Sequence, residues 1–363
     1  MKIIEVINSL SSVGGAQTFF CDLCLDISNR KDVELKIVIL YDGINSKFQD
    51  FYNALEDKIV FCHKKRSFDL HASKLLKQII ISFQPDIINF HLNFYLSYYL
   101  SFGIKNRKWK LVKTYHSIPG NDESKRSLFL EKKFYKKKLL HFIGISNEIT
   151  NKSKLIYPKA IVQTIENGIK LRQQNSSVPN KEYDFIIVAS LEPVKNHILL
   201  FSSFKSLLPE FKNLKLLCLG SGSLMNEYIS YLKDNEMTNN VYLLGKVDDV
   251  YPYLQKTDIF VLSSIREGNP ISILEAMNAG LPIIAPSVGG IPDIITHDKN
   301  GLLFSPESEE ELTKSMKRLL LDKKLKTQMA KQNIEDSQKY SITKTGDEYI
   351  SFFQKLLDGT KFD

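Results

Sequence analysis

The stretch TDIFVLSSIREGNPISILEAMNAGLPIIA, residues 257–285, predicts a strand, a short helix and a second strand. Ile259–Leu262 and Pro282–Ala285 are apolar runs of strand length without alternation, which is typical of strands buried on both faces. The helix is expected to end at Gly280, because glycine suits the left-handed position after a helix and Pro282 prevents continuation. Two parallel strands joined by a helix are the repeating unit of a doubly wound α/β sheet.

The same alternation extends over the whole chain of 363 residues, a length that favours two domains. A polar, aperiodic stretch at 172–181 predicts a linker. We expect an N-terminal Rossmann-like domain at 1–170, a linker at 171–182 and a C-terminal domain at 183–345, with a last helix at about 346–363 packed back on the N-terminal domain. The other expected strands are Ile3–Ile7, Leu35–Leu40, Asp86–Phe90, Leu111–Tyr115, Phe142–Ile145, Phe185–Ala189, Leu214–Leu219 and Val241–Leu244.

The composition is that of a globular protein, with 43% apolar and 25% charged residues, and it excludes a disordered chain. No apolar run reaches the roughly 18 residues of a membrane span, and the N-terminus lacks the features of a signal peptide, so we expect a cytoplasmic protein. The cysteines are Cys21, Cys24, Cys62 and Cys218. We expect buried free thiols, and leave open a redox or metal role for the lone CxxC pair.

The net charge of +8 is unevenly distributed. Residues 1–170 hold 27 Lys and Arg against 16 Asp and Glu, giving +11, and the remainder holds 22 against 25, giving −3. The densest basic cluster is Lys132–Lys138. It predicts either a solvated helix face or contact with an anionic surface, such as a lipid headgroup layer at the inner face of the membrane or a pyrophosphate-bearing acceptor. Nucleic acid is disfavoured, because no recognition motif accompanies the cluster.

The strongest candidate site lies between Glu267 and Glu275. Asn269 is a good N-cap and Pro270 suits the first helical position, so a helix is expected to begin at the carboxyl edge of the sheet. Its free N–H groups and dipole form an anion site that fits a diphosphate. The two carboxylates can each hold a hydroxyl, one on the transferred sugar and one on a ribose. Spacing alone leaves open that Glu267 is an exposed loop acid and Glu275 a helix surface residue.

An ordered series of motifs surrounds this pair. It consists of residues 257–264, 267–275, 279–285, 288–293 and 300–303, and it resembles the retaining glycosyltransferases of family 4, the group 1 glycosyl transferases. The resemblance is strongest over about 183–305. It implies the GT-B fold, in which two Rossmann-like doubly wound domains face each other across a cleft.

The resemblance also implies roles for individual residues. Glu275 is expected to bind the ribose and Glu267 to contact the donor sugar as a catalytic residue. The backbone of the segment Gly268, Asn269, Pro270, Ile271 and Ser272 is expected to hold the phosphates. Weaker matches at two strand ends, Gly220 and Val247, are expected to bring the backbone near the nucleotide.

A second motif, Ser190–Asn196, follows a predicted strand, and Lys195 in it can neutralise a diphosphate leaving group. The family usually has an arginine where this chain has Ser190, so one cationic contact is missing or is supplied from elsewhere, with Arg266 as a possible substitute.

Three sites are expected in the N-terminal half. Gly14 and Gly15 resemble the family's glycine loop facing the donor phosphates, although a tight turn would have the same sequence. His116 ends a strand, and the family implies a catalytic position near the donor sugar. His91 ends the preceding strand and is a candidate for the acceptor side. A lone histidine is by itself more often structural.

The sequence predicts no metal and no cofactor, because it lacks the Asp-x-Asp of metal-dependent sugar transferases. The donor is expected to be a nucleotide-sugar, UDP-linked by preference, and the acceptor a glycan or lipid-linked glycan of bacterial surface-polysaccharide assembly. The expected class is a hexosyl- or N-acetylhexosaminyltransferase. Two alternatives stay open: a nucleotide-sugar-binding subunit with weak activity, favoured by Ser190, and a nicotinamide-dependent oxidoreductase, disfavoured by the lack of GxGxxG.

Overall fold

The computed structural model describes residues 1–66, 69–92, 109–120, 131, 135, 140–173 and 180–359. The chain forms two compact units, one of residues 1–168 with 342–363 and one of residues 169–341. Both ends of the expected linker belong to the second unit. Just before the linker, the amide of Ile169 donates to the Tyr340 carbonyl at 2.8 Å, and at its end the amide of Glu182 donates to the Lys256 carbonyl at 2.8 Å. Linker residues 174–179 lie outside the described residues.

The first unit is built on a parallel sheet of seven described strands in the order β3-β2-β1-β4-β5-β6-β7. The strands are β1 (Lys2–Ile7), β2 (Glu34–Ile39), β3 (Ile59–Phe61), β4 (Ile87–His91), β5 (Lys110–Tyr115), β6 (Leu140–Gly144) and β7 (Val162–Thr164). The described helices are α1 (Gly15–Ser28), α2 (Gln49–Leu55), α3 (Leu70–Phe83), α4 (Asn147–Ile156) and the C-terminal helix Ile342–Asp358.

The C-terminal helix packs on α1. Its apolar face buries Tyr349 and Phe353 completely. Arg30, just after α1, reaches it through an ion pair with Asp347 at 2.6 Å, while a second pair at 2.6 Å holds Arg30 on Asp26. The last helix therefore completes the core of the first unit.

The second unit contains a parallel sheet of six described strands in the order β10-β9-β8-β11-β12-β13. The strands are β8 (Tyr183–Val188), β9 (Leu216–Leu219), β10 (Val241–Gly245), β11 (Thr257–Val261), β12 (Ile283–Pro286) and β13 (Gly301–Phe304). The helices are α5 (His197–Lys205), α6 (Met225–Asp234), α7 (Tyr251–Gln255), α8 (Ile271–Asn278), α9 (Ile291–Ile294), α10 (Glu309–Leu321) and α11 (Lys323–Ser337). Two doubly wound parallel sheets confirm the expected α/β class.

Each sheet has one point at which the strand order reverses. In the first unit it lies between β1 and β4, and in the second between β8 and β11. The loops that leave the two strands there run in opposite directions and open a crevice at the carboxyl ends of the strands, where ligands bind in such folds. The two reversal points therefore locate the candidate site residues of each unit.

Three other expectations can be compared with the structure. The cysteines are free and buried, as expected. None of the helices in the described ranges is long and apolar enough to cross a membrane. The basic cluster Lys132–Lys138 lies outside the described residues apart from Tyr135, so its anionic partner stays a prediction.

Candidate functional site

The reversal point of the second unit carries an ion pair between the loops after β8 and β11. Lys195 Nζ lies 2.6 Å from Glu267 Oε1, and the two side chains are 22% and 8% exposed. Ser264 Oγ donates to the same carboxylate oxygen at 2.6 Å. The two residues that the sequence assigned to the leaving group and to the sugar are thus in direct contact, on a carboxylate that is largely shielded from water.

The backbone of the two loops is also joined. The amide of Ile265 donates to the Val194 carbonyl at 2.8 Å, and Ser263 Oγ donates to the Lys195 carbonyl at 2.9 Å. Lys195 ends a 3-10 turn, and Asn196 follows with φ +48° before α5 begins. These bonds fix the backbone that carries the ion pair and leave the lysine side chain as its adjustable part.

A glycine pair after β12 supports the other side of Glu267. A Cβ on Gly289 would lie 1.8 Å from the Glu267 carbonyl oxygen, and its φ of +59° is left-handed. The amide of Gly290 donates to the Gly268 carbonyl at 2.9 Å. Only glycine allows this approach, so the turn sets the position of the Glu267 backbone.

Helix α8 begins one residue later than the sequence predicted. Pro270 is the N-cap, with ψ 113°, and Asn269 is a buried residue before it, so the assignment of Asn269 as N-cap and Pro270 as first helical residue is wrong. The extended ψ of Pro270 places its carbonyl as the first acceptor of the helix, for the amide of Ile273 at 3.1 Å. Ile271 and Ser272 form the first turn, whose amides precede the intrahelical bonds.

The end of α8 agrees with the sequence. Gly280 follows it with φ +74°, the left-handed conformation expected after the helix. Glu275 lies inside the helix and is half-buried.

The weaker candidates of the second unit lie at the ends of β9 and β10. Gly220 approaches the loop after β8 so closely that a Cβ would lie 1.9 Å from the Ala189 carbonyl oxygen. Val247 is half-buried just after β10. Ser190 and Arg266 are exposed, so the position usually held by arginine is open to solvent here.

In the first unit, Gly14 is the N-cap of α1 and Gly15 its first residue, so the expected glycine loop is the entry to a helix. The φ of Gly14, −151°, is ordinary extended backbone. The contact of this pair with donor phosphates stays a prediction.

The two histidines belong to one hydrogen-bonded chain. His116 Nε2 lies 3.0 Å from His91 Nδ1, and His91 Nε2 lies 3.0 Å from Glu5 Oε2. Asn89 Nδ2 donates to Glu5 Oε2 at 2.9 Å. His116 is half-buried, whereas His91 is 1% exposed. The acceptor-side role of His91 stays a prediction, and its buried ring is joined to the half-buried His116 through Nδ1.

Burial controls the electrostatics of this chain. It raises the pKa of the Glu5 carboxyl well above its usual value, and it lowers the pKa of His91 to about 3. The pKa of His116 is lowered well below its usual value by burial and then by His91. Both rings are therefore neutral near pH 7.

Sequence reasoning missed Glu5 and Asn89. A signal was present, because each is a polar residue inside an otherwise apolar strand, KIIEVI for β1 and IINFH for β4. The two are register partners in the parallel sheet and both are fully buried. A buried polar pair on adjacent strands needs partners, and it points to a built network.

No group of three or more His, Cys, Asp or Glu side chains that could hold a metal ion occurs among the residues with described positions. Metal-independent transfer stays a prediction.

Comparison with known proteins assigns the family. Residues 169–336 match the family model of glycosyl transferases group 1, and residues 13–173 match that of Glycosyltransferase Family 4. The chain is 26% identical over 358 residues to an uncharacterized glycosyltransferase of Methanocaldococcus jannaschii, covering 83% of this chain and 87% of that protein.

Two further similarities are informative. Over 117 residues the chain is 31% identical to the N,N'-diacetylbacillosaminyl-diphospho-undecaprenol alpha-1,3-N-acetylgalactosaminyltransferase of Campylobacter jejuni, covering 32% of this chain and 31% of that protein. The crystal structure of Anabaena HepE in complex with UDP matches with a TM-score of 0.81 at 18% identity. The match covers 98% of this chain and 100% of that chain. At that identity the likeness establishes the fold alone. Together the two matched regions span residues 13–336, and the chain belongs to the group 1 glycosyl transferases, the family 4 type of glycosyltransferase with the GT-B fold.

Proposed function

We propose that this glycosyltransferase transfers a hexosyl or N-acetylhexosaminyl group from a UDP-sugar to a glycan or lipid-linked glycan, with retention of configuration and without a metal ion. The observation that carries the proposal is the contact between Lys195 and Glu267 at the reversal point of the second sheet. Helix α8 begins at Ile271, four residues after Glu267, so the amides of its first turn follow the ion pair closely in the chain.

Lys195 is proposed to neutralise the diphosphate leaving group. In the described part of the chain the Lys195 ammonium is held by the Glu267 carboxylate, whereas a diphosphate offers at least two negative charges and several acceptor oxygens. The lysine side chain is partly exposed and can turn toward that ligand, together with the amides of Ile271 and Ser272.

Glu267 is proposed to bind a hydroxyl of the donor sugar. When Lys195 turns to the phosphates, the carboxylate keeps Ser264 as a donor and gains an open acceptor position. A carboxylate that is 8% exposed binds a sugar hydroxyl more strongly than one in water would. Glu275 is proposed to bind the ribose, and His116 to contact the donor sugar.

Donor and acceptor are proposed from relatives. HepE is similar in fold and binds UDP, which favours a UDP-linked donor. The Campylobacter relative is named for a lipid diphosphate acceptor and an alpha linkage, which supports a lipid-linked glycan and retention. The excess of basic charge in residues 1–170 suits such an anionic acceptor.

The competing proposal is a nucleotide-sugar-binding subunit with weak activity. Ser190 supports it, because this residue is exposed and offers no cation where the family usually has arginine. Donor turnover by the purified protein separates the two functions.

The test is a panel of nucleotide-sugars, followed by release of nucleoside diphosphate with and without a lipid-diphosphate glycan acceptor. We expect Glu267→Gln to lower kcat about 100-fold or more, a loss typical of removing one transition-state contact. Glu182→Gln is the matched control, because it also breaks a Glu–Lys pair, with Lys256 at 2.9 Å, but precedes β8. Equal activity of Glu267→Gln and Glu182→Gln would remove Glu267 from the mechanism, and no turnover with any donor would favour the binding subunit.

A further inference from the structure

His116 ends a buried chain of hydrogen bonds, although a single contact with a sugar would need no more than the His116 ring itself. The chain runs from His116 through His91 to Glu5, with heavy-atom distances of 3.0 Å at both steps. Asn89 is fixed beside it, because its Oδ1 accepts from Thr114 Oγ1 at 3.1 Å and its Nδ2 donates to Glu5 Oε2. The orientation of the amide is therefore defined by its partners.

The two ends of the chain carry unused hydrogen-bonding capacity. Among the described residues, Glu5 Oε1 and His116 Nδ1 are buried atoms without a hydrogen-bond partner. Every position between them is used: His91 Nδ1 contacts His116, and His91 Nε2 contacts both Glu5 Oε2 at 3.0 Å and Asn89 Nδ2 at 2.9 Å. A proton shift along the chain therefore decides whether His116 Nδ1, the outer end of the chain, carries a proton or a lone pair.

We propose that Glu5 is a positioning residue that sets the tautomer of His116 through His91, so that proton uptake by Glu5 converts His116 Nδ1 from a hydrogen-bond acceptor into a donor. The inference rests on the proposed function for its consequence, the contact of His116 with the donor sugar. It adds a residue on β1 to the machinery of that contact.

The protons balance as follows. With Glu5 ionised, His91 donates from Nε2 to Glu5 Oε2, His116 donates from Nε2 to His91 Nδ1, and His116 Nδ1 holds a lone pair. One proton then enters at His116 Nδ1. The Nε2 proton of His116 passes to His91 Nδ1, and the Nε2 proton of His91 passes to Glu5 Oε2. Both rings stay neutral, and the added charge is neutralised at the carboxyl.

The proton belongs on Oε2 of Glu5 because that oxygen faces an acceptor, whereas a hydroxyl at Oε1 would be buried without a partner. Burial favours this neutral acid, since it raises the pKa of Glu5 and lowers those of His91 and His116. The other titratable groups that face Glu5 are the Cys24 thiol of α1 and the Tyr349 hydroxyl of the C-terminal helix. Burial raises the pKa of both, so neither brings a competing charge.

The test is the nitrogen NMR spectrum of the full chain labelled in the histidine rings, recorded against pH. In the wild type we expect His116 to pass from the Nε2–H tautomer to the Nδ1–H tautomer as the pH falls, without forming an imidazolium. In Glu5→Gln the amide cannot take up the proton that the relay delivers, so the His116 transition is lost. Tyr349→Phe removes a neighbouring hydroxyl that contacts Thr114 but not the histidines, and it keeps the transition.

Two results would overturn the proposal: an unchanged His116 transition in Glu5→Gln, or direct ionisation of His116 in the wild type. Direct ionisation of His116 is measured on the wild type, so it tests the proposal even if Glu5→Gln does not fold. Because the measurement needs no substrate, it is independent of the proposed transfer reaction. An inactive enzyme with the expected tautomer change would overturn the function and leave the relay standing.

Discussion

The two units place opposite chemistry at the equivalent point of their sheets. Between β8 and β11 the second unit holds an ion pair, with Lys195 22% exposed. Between β1 and β4 the first unit holds the hydrogen-bonded chain of Glu5, His91 and His116, whose inner members are fully buried. One fold can thus hold a partly exposed ion pair or a buried hydrogen-bonded network at the same position.

The physical cost of disturbing the two sites also differs. A partly exposed lysine can leave its carboxylate and be compensated by water or by a ligand. A buried polar group that loses its partner costs about 1–3 kcal/mol with no compensation. Changes at the ion pair should therefore alter function with the fold intact, and changes at the buried chain of Glu5, His91 and His116 should affect both function and stability.

Lys195→Ala is the sharpest test of the charged site. We expect kcat/KM for the donor to fall about 100-fold or more, because the diphosphate loses its cation and the Glu267 carboxylate loses its partner. Steady-state kinetics and thermal unfolding should be measured together. Lys256→Ala breaks the equivalent pair with Glu182 and serves as the control. Similar kinetics for the two variants would mean that the Lys195 pair is structural.

Gly289→Ala tests how the charged site is supported. Its Cβ would lie 1.8 Å from the Glu267 carbonyl oxygen, so the backbone must move, and we expect a loss of about 2–4 kcal/mol in unfolding free energy. Gly245→Ala has the same left-handed strain at φ +74° but no atom within 4 Å, and should cost about 1 kcal/mol. Equal losses of unfolding free energy for the two variants, measured by chemical denaturation, would show that left-handed backbone strain and not the contact with Glu267 accounts for the effect at Gly289.

The sequence predicted most of the fold because buried parallel strands are continuous apolar runs. Three of the strands in the described ranges were missed: β3 and β7, each three residues long and half-buried or exposed, and β13 after a turn. Short strands at the edge of a sheet carry little periodicity, and their position is set by pairing with a longer neighbour.

The charged site was predictable because its residues lie in motifs of fixed spacing. That Lys195 and Glu267 contact each other was not, since 72 residues separate them and only the strand order brings their loops together. Glu5 was missed for the opposite reason. It lies in no motif, and its role depends on its register partner Asn89 and on the residue two positions beyond it, His91.

Ser190→Arg restores the cation that the family usually has in the charged site. Ser190 is exposed, so an arginine can be accommodated without repacking. We expect about a 5-fold increase in affinity for UDP or in kcat/KM, since a partly solvated charge-assisted contact is worth about 1 kcal/mol. Ser206→Arg adds the same charge at an exposed position after α5. An equal gain from Ser206→Arg would mean that the added net positive charge of the protein, and not its position at residue 190, causes the effect.

The pH dependence of stability tests the buried histidine of the second unit. His197, at the start of α5, is fully buried, and burial, followed by Lys195, lowers its pKa to about 4. The unfolded imidazole binds a proton below its ordinary value of 6.5 and the folded one does not, so stability is lost as the pH falls from 6.5 to about 4. In the first unit burial likewise lowers the pKa of His91, His116 and His141, and their loss of stability is opposed by Glu5, whose raised pKa makes the folded state take up a proton as the pH falls.

His197→Phe should therefore flatten the acid sensitivity of the second unit by about 1–2 kcal/mol between pH 7 and pH 5. Neither ring nitrogen of His197 has a hydrogen-bond partner among the described residues, and the ring packs on Phe201 and Tyr228, so the substitution removes no bond. Denaturant unfolding followed by circular dichroism reports both units, while fluorescence of the single tryptophan, Trp109, reports the first. A flattened tryptophan transition, or an unchanged circular dichroism transition, would contradict the assignment of the His197 contribution to the second unit.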